Sequence, residues 1–459
     1  MSTPHTRAGA DPSMTALLGF RAGFHRCLTG WADAAFELTD AVLCPPAPVC
    51  SVPGLSLEPV FRRSHGRLYK ALARGGVDPD AVGDLLAEHR PRDWPLVFAV
   101  DASTWARCDA ETSPERGYYY SASKHSAGKP IVAGWSYQWV TQLSWANDSW
   151  TAPMDARRIA PTQDTVAVTA AQVRDLLARL GPNATSPVFV FDAGYDPIAL
   201  THELADQAAT IVVRIREDRL FHTDPAAPTP GTRGRPRRHG QRVKLTDPAT
   251  WPEPEHESSS TDPRYGTVQV TAWHGPHPRL GRRGHWAKYE QPPIVTGTVI
   301  RVQVQHLPKP TSRTKKTLWL WAAGPDLDLD IAWRAYLRRF DIEHTFRFVK
   351  NTLGWTTPSV CTPEQADRWT WLVVVAYTQL RLARPIVEDL RLPWERERKP
   401  GRLTPARVRR GFRRLAPTLG TPASPPKSPS AGPGRPKGTR RGYTEVVPAP
   451  VELEWRSPA

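Results

Sequence analysis

Two short apolar runs constrain this chain more than anything else in it. "PLVFAVD" ends at Asp101 and "PVFVFD" ends at Asp192, each without a polar residue before its carboxylate. A run that lacks polar alternates must be covered on both faces, as an inner strand is in a sheet flanked by helices. Between them "QDTVAVTAAQVRDLLARLG" has helical spacing and closes at Gly181. "PIALTHELADQ" reads as a further helix and "ATIVVRIRED" as a further strand. That order predicts a three-layer α/β domain. An acid at the carboxyl end of such a strand emerges where open α/β sheets place their sites. The same acid also suits a turn cap, so both readings stand for each aspartate.

Around this core the texture changes. Residues 1–90 are expected to be a helical N-terminal region, either DNA-binding or a plain cap, with "CPPAPVCSVPG" interrupting it. Residues 91–216 form the first part of the α/β core. Residues 217–317 read as a β-rich insertion, because "GTVQVTAWH" and "TGTVIRVQVQHL" alternate like half-buried strands. Residues 318–385 return to the core through "KTLWLWAAG", a helix from about Ile331 to Leu353, and a helix at "PEQADRWTWLVVVAYTQLRLAR". Residues 386–420 make a basic helical segment. Residues 421–459 carry nine prolines and few large apolar groups, a composition too poor to offset chain ordering, and are expected to be a disordered tail.

The 459 residues include 61 Lys and Arg against 45 acids, a formal charge of +16. Fourteen basic residues and one acid fall between Arg396 and Gly442, so 13 of those net charges cluster there. Such a cluster suits a polyanion, through phosphate neutralisation and counterion release, or serves as a solubilising tail. Five cysteines without a C-x-x-C pair oppose a disulfide framework and a cysteine zinc site. No phosphate-binding G-x-x-x-x-G-K-[ST] loop occurs, so ATP is not expected, and no H-E-x-x-H motif occurs. "WTWLVVVAY" is too short to span a bilayer and no signal peptide is evident, so a soluble cytoplasmic protein is expected.

One further acid lies in "YLRRFDIEHTFRFVK". At about 100° per residue, Tyr336, Arg339, Glu343 and Lys350 of one helix share a stripe roughly 60° wide, with Phe340 and Arg347 beside it. An ordinary ion pair between Arg339 and Glu343 fits the spacing. Three carboxylates brought together, Asp101, Asp192 and Glu343, would instead suit Mg²⁺ or Mn²⁺, which take hard oxygen ligands and leave room for water and phosphate. The cations beside them would then hold a DNA strand.

Tyr336, Arg339, Glu343 and Lys350 match Y-x2-R-x3-E-x6-K, and on them the chain resembles a branch of bacterial insertion-sequence DDE transposases over roughly residues 90–385. The resemblance implies an RNase H-like core with a β-rich insertion before the last catalytic helix. It implies Asp101, Asp192 and Glu343 as catalytic ligands of two Mg²⁺ or Mn²⁺ ions. It implies Tyr336, Arg339 and Lys350 as contacts to transposon-end DNA, with Arg347 beside them. The implied activity is cleavage at element ends and joining of the 3′-hydroxyl to target DNA, by a homodimer bridging two ends in the bacterial nucleoid. A nuclease of the same fold that never joins strands, and a non-catalytic DNA-binding derivative, are the competing expectations.

Several assignments stay open. Asp109 and Asp196 are the alternative acids if the strand ends differ. "YYYSASKHSAGKPIVAGW" also resembles the family, and its Lys124, His125 and Lys129 are DNA contacts or loop decoration. "RGRPRR", which includes Arg235, and "GPGRPKGTRR" resemble minor-groove hooks or serve as phosphate contacts. "RLTPARVRRGFRRL", with Thr404 at its cap, is a basic helix for a DNA backbone or a solvated amphipathic helix. Trp319 and Trp321 alternate within a strand and are expected in the core.

Overall fold

Aspartates preceding or opening a Pro-containing turn start several of the helices. Asp11, Asp78 and Asp196 each stand before a proline and accept backbone N–H groups of the first turn. The structure, a computed structural model, describes residues 11–121, 130–146, 148–182, 185–227, 235–308, 315–399 and 401–427. Contacts group the chain into two units, Met1–Ser424 and Pro425–Ala459, and the helices and strands of the described residues lie in the first.

In chain order these are α1 (Pro12–Arg26), β1 (Leu28–Gly30), α2 (Ala32–Leu43), α3 (Val52–Leu55), α4 (His65–Arg74), β2 (Gly76–Val77) and α5 (Pro79–Glu88). Then follow β3 (Val97–Ala106), β4 (Gly117–Tyr120), β5 (Ile131–Leu143), β6 (Thr151–Ile159), α6 (Thr165–Leu180), β7 (Val188–Phe191), α7 (Pro197–Glu203) and β8 (Thr210–Ile215). The next stretch holds β9 (Leu220–His222), β10 (Arg242–Lys244), β11 (His256–Asp262), β12 (Gly266–His274), β13 (Thr298–Val304) and β14 (Thr317–Ala323). Four helices close the series: α8 (Leu329–Arg338), α9 (Asp341–Asn351), α10 (Pro363–Ala383) and α11 (Pro405–Leu415).

A ten-stranded mixed sheet runs β11-β12-β13-β14-β8-β7-β3-β5-β4, with β6 also on β5. Strand β7 is parallel to both β3 and β8, and the other pairs are antiparallel. The region expected as a β-rich insertion thus contributes β11, β12 and β13 to the same sheet through β14, while β9 and β10 form a separate ribbon. Strand β6 escaped the sequence reading. Its "TAPMDARRI" contains Pro153, which sits at an irregularity in the β5 pairing, and a buried Asp155 bonded to Arg157 at 2.8 Å.

The central strands send alternate residues to two cores. Phe98, Val100, Phe189, Phe191, Ile211 and Val213 pack with α6 and α7 residues such as Val173 and Leu200. Val97, Ala99, Val190 and Val212 point the other way, into a core shared with the N-terminal helices and α8 to α11. Helices are therefore on both faces, as the unbroken apolar runs require. Trp321 is fully buried and Trp319 nearly so, as core residues.

The second core holds a buried charge. Arg21 of α1, 2% exposed, grips both carboxylate oxygens of Asp40 on α2 at 2.6 and 2.8 Å. The same guanidinium donates to Gln379 Oε1 of α10 at 2.7 Å and to the Gly420 carbonyl at 3.0 Å. Arg62 and Arg63 reach the carbonyls of Ala423 and Ser424 nearby. Removing one member strands the other charge in the interior, so Arg21→Ala is expected to cost roughly 3–5 kcal/mol. Denaturant unfolding measures it, and a loss under about 1 kcal/mol, the scale of a surface pair, would contradict this account.

Candidate active site

The parallel register of β3 and β7 fixes the first two acids. Val100 pairs with Phe191, so one residue further Asp101 and Asp192 stand side by side on adjacent strands. Asp101 lies inside β3 rather than at its end, because β3 continues to Ala106 along β5. Asp192 directly follows the last residue of β7. By the alternation both side chains face the core that α8 and α9 cover, with Ile342, Phe346 and Val349 of α9 packed into it.

The expected single helix from Ile331 to Leu353 is broken. Helix α8 ends at Arg338 and α9 begins at Asp341. Arg339 and Phe340 keep right-handed helical dihedrals, but Ile342 and Glu343 donate to the carbonyls three residues back, of Arg339 and Phe340, each at 3.1 Å. One tightened turn therefore separates Tyr336 on α8 from Glu343 and Lys350 on α9, and a constant 100° step no longer describes the stripe. No proline or glycine between Tyr336 and Lys350 marks this break in the sequence.

The break aims Arg339 at the acids. Its Nη1 donates to Asp101 Oδ2 at 2.7 Å, and its guanidinium lies 5.8 Å from the centre of the Tyr336 ring. The other oxygen of Asp101 accepts the Ala102 N–H at 2.8 Å. Asp192 Oδ1 accepts the Gly194 N–H at 2.8 Å. Burial pushes the Asp101 carboxyl up to about 6; Arg339 opposes the shift, and the charges of Asp192 and Glu343 add to it. The charges of both other acids are therefore felt at Asp101. Arg339 itself is held above its usual range, burial being outweighed by Asp101, Tyr336 and Asp192.

Among the described residues no three His, Cys, Asp or Glu groups stand close enough to enclose an ion. The donor set nevertheless fits a hard divalent cation in kind: carboxylates whose mutual repulsion is relieved at Asp101 by a guanidinium, one positive charge standing where a metal charge would be welcome.

The remaining residues divide. Lys350 Nζ turns back to the Thr104 carbonyl of β3 at 3.2 Å. Tyr336 is buried and Arg347 exposed. Lys124, with His125 and Lys129, lies outside the described residues, as do Arg233 and the second hook in the tail. Arg235 belongs to another neighbourhood, where its Nη2 donates to Gln291 Oε1 at 2.8 Å. Of the alternative acids, Asp196 caps α7 through Ile198 and Ala199, and Asp109 pairs with Arg107 at 3.1 Å. Thr404 occupies the cap position of α11 without a side-chain cap bond. That helix is no free basic rod: Arg407 pairs with Asp389, Arg410 with Glu395, and Arg409 donates to the Val42 and Ala47 carbonyls.

One neighbour was not anticipated. The Tyr195 hydroxyl donates to Gln138 Oε1 at 2.9 Å, and its phenol is raised well above the ordinary value by burial and then by the charges of Asp101 and Asp192. Its position three residues after Asp192 was the available signal.

A family described as DDE superfamily endonuclease matches residues 23–279, a span that includes Asp101 and Asp192 and ends before α8. No curated protein matches the chain. A cryo-EM structure of a piggyBac transposase synaptic complex with hairpin DNA aligns at a TM-score of 0.33 and 11% identity, covering 83% of this chain and 67% of that one. Among the described residues no helix is long and apolar enough to cross a membrane.

The raised Asp101 carboxyl has a consequence for stability. Its folded value, about 6, lies above the unfolded value of about 3.9, so the folded state holds the proton more tightly between them. Stability contributed by this group is thus lost as pH rises through that window. Asp101→Asn cannot titrate and should gain on the wild type in Tm from about pH 4 to about pH 7; a pH-independent difference would oppose the assignment.

Proposed function

Because the chain belongs to the DDE superfamily endonuclease family, we propose that it is a transposase that cuts DNA at the ends of a mobile element and joins the 3′-hydroxyl to target DNA. The observation that carries this reading is the position of Asp101 and Asp192 one residue beyond the last parallel β3–β7 pair, with the charge of Glu343 felt at Asp101. The strand order β6-β5-β3-β7-β8, three antiparallel strands followed by two parallel ones, supports an RNase H-like core. The Y-x2-R-x3-E-x6-K spacing supports the insertion-sequence branch and a bacterial setting.

Asp101, Asp192 and Glu343 would hold two Mg²⁺ or Mn²⁺ ions, which when bound generate the attacking oxygen and stabilise the leaving one. The chain's own groups set the stage. Arg339 orients Asp101 and favours its charged form against burial while no substrate is present. A phosphate entering beside Asp101 offers that guanidinium a second anion, so Arg339 can pass from carboxylate to DNA. The exposed Arg347 contacts backbone further along α9, and Lys350 steadies the end of β3 through Thr104. Burial of Asp101 limits water at the reacting phosphate. Two copies would act as a homodimer, one on each element end.

The test uses DNA carrying the element's ends with Mg²⁺ or Mn²⁺. Glu343→Gln is expected to lower cleavage by roughly a hundredfold or more while DNA binding persists, and chelation should stop the wild-type reaction. Cleavage by Glu343→Gln at the wild-type rate would refute the assignment. Nicked products that are never joined would reduce the protein to a nuclease.

A further inference from the structure

A cleft of about 470 Å³ opens at the carboxyl end of β8 and the amino end of the antiparallel β14, lined among others by Ala193, Arg214, Arg216, Lys315, Leu318 and Trp319. It borders the candidate active site directly, since Ala193 follows Asp192. Strand register makes the relation closer. Phe191 pairs with Val213 in parallel, so the next residues, Asp192 and Arg214, are neighbours across β7 and β8. Arg214 alternates with Val213 and shares the parity of Val212, which points to the core under α8 and α9. Asp101, Asp192 and Arg214 thus form one row across the sheet, within β3 and at the carboxyl ends of β7 and β8. Strands lie about 4.8 Å apart in such a row.

The two arginines are distinguished by being unpartnered, among the described residues, at the end of the strand that flanks Asp192. Arg214 and Arg216 are exposed, and among the described residues neither side chain has a hydrogen-bond, ion-pair or ring partner. The arginines at the end of α8 are spent inward by contrast, Arg338 on the Ser144 carbonyl and Arg339 on Asp101. At the mouth of the cleft Lys315 is neutralised by Glu217, which leaves the two arginines against Asp218 alone. An unpartnered guanidinium pair at the end of the strand beside Asp192 is not explained by folding, since exposed, unpaired arginines contribute little to stability.

We propose, resting on the function given above, that Arg214 and Arg216 form a second phosphate-binding site that holds the DNA backbone on one side of the phosphodiester at Asp101 and Asp192. Two residues along an extended chain span about 6.6 Å, while one strand of a duplex carries a phosphate every about 3.4 Å of its axis. The pair therefore reaches phosphates of a single strand, and Leu318 and Trp319 give the cleft an apolar wall for the sugars. Arg214 and Arg216 are positioning residues: they fix which phosphate lies at the carboxylates and perform no bond-making themselves.

The experiment measures binding of the full chain to a short nicked duplex in EDTA over a salt series, with cleavage of element-end DNA followed in parallel. Changing both residues to Ala should weaken binding roughly tenfold at low salt and lower the slope of log K against log salt by about 1.4 to 1.8. Arg214→Lys with Arg216→Lys should restore most of that slope, because the charge is kept, and the unfolding midpoint should stay at the wild-type value in both variants. Should the Ala pair fail to fold, the Gln pair takes its place with the same expected loss. A wild-type slope in the neutral variants, with the wild type still cutting DNA, overturns this site and leaves the proposed activity standing. A lowered slope that Lys does not restore also overturns it. A wild type that neither binds nor cuts DNA overturns both.

Discussion

Two carboxylates set on adjacent parallel strands repel each other, and much of the surrounding structure answers that repulsion. The register leaves Asp101 and Asp192 no freedom to separate, since each continues a strand whose neighbouring residues are locked in a buried ladder. Backbone N–H groups of Ala102 and Gly194 take one oxygen of each. The remaining charge is met by Arg339, which reaches Asp101 from the single tightened turn between α8 and α9. The local irregularity and the electrostatics are therefore one feature. A straight helix through Tyr336 and Lys350 would carry Arg339 around the axis by a different angle.

Period and composition made the central strands and the major helices legible, because their physics is local. The Val and Phe blocks before Asp101 and Asp192 can be satisfied only by helices on both sides, and α6 stops where Gly181, with φ of +68°, permits the chain to turn. The strands β6 and β11 were not legible. The first carries Pro153 and buried Asp155, and the second is "HESSSTD", so neither has a β-forming signature. Their positions are imposed by pairing with β5 and β12, which is tertiary information. The break at Arg339 and Phe340 was equally hidden, with no breaking residue to announce it. Arg214 went unnoticed for another reason: its significance is its neighbour across the strand, not along the chain.

Charge density in the sequence also overstated the free charge in the fold. Helix α11 draws Arg407, Arg409 and Arg410 onto Asp389, two carbonyls of the α2 region and Glu395. These arginines behave as fasteners between segments distant in the chain, an arrangement for which the five-donor fork of arginine is suited. A count of Lys and Arg registers such groups as available to a polyanion, although Arg407 and Arg409 are buried and Arg410 is held by Glu395.

The clasp at Arg21 imposes an order in time. Its guanidinium belongs to the first helix, yet the acceptors that satisfy it include Gln379 and the carbonyl of Gly420. During synthesis the early helices emerge hundreds of residues before those two acceptors exist, so Arg21 meets Asp40 early but has part of its hydrogen bonding still unmade. The N-terminal helices cannot reach their final packing on α10 until nearly the whole of the first unit has left the ribosome. A nascent or shortened polypeptide that ends before α10 therefore lacks the packing on which its N-terminal helices rest.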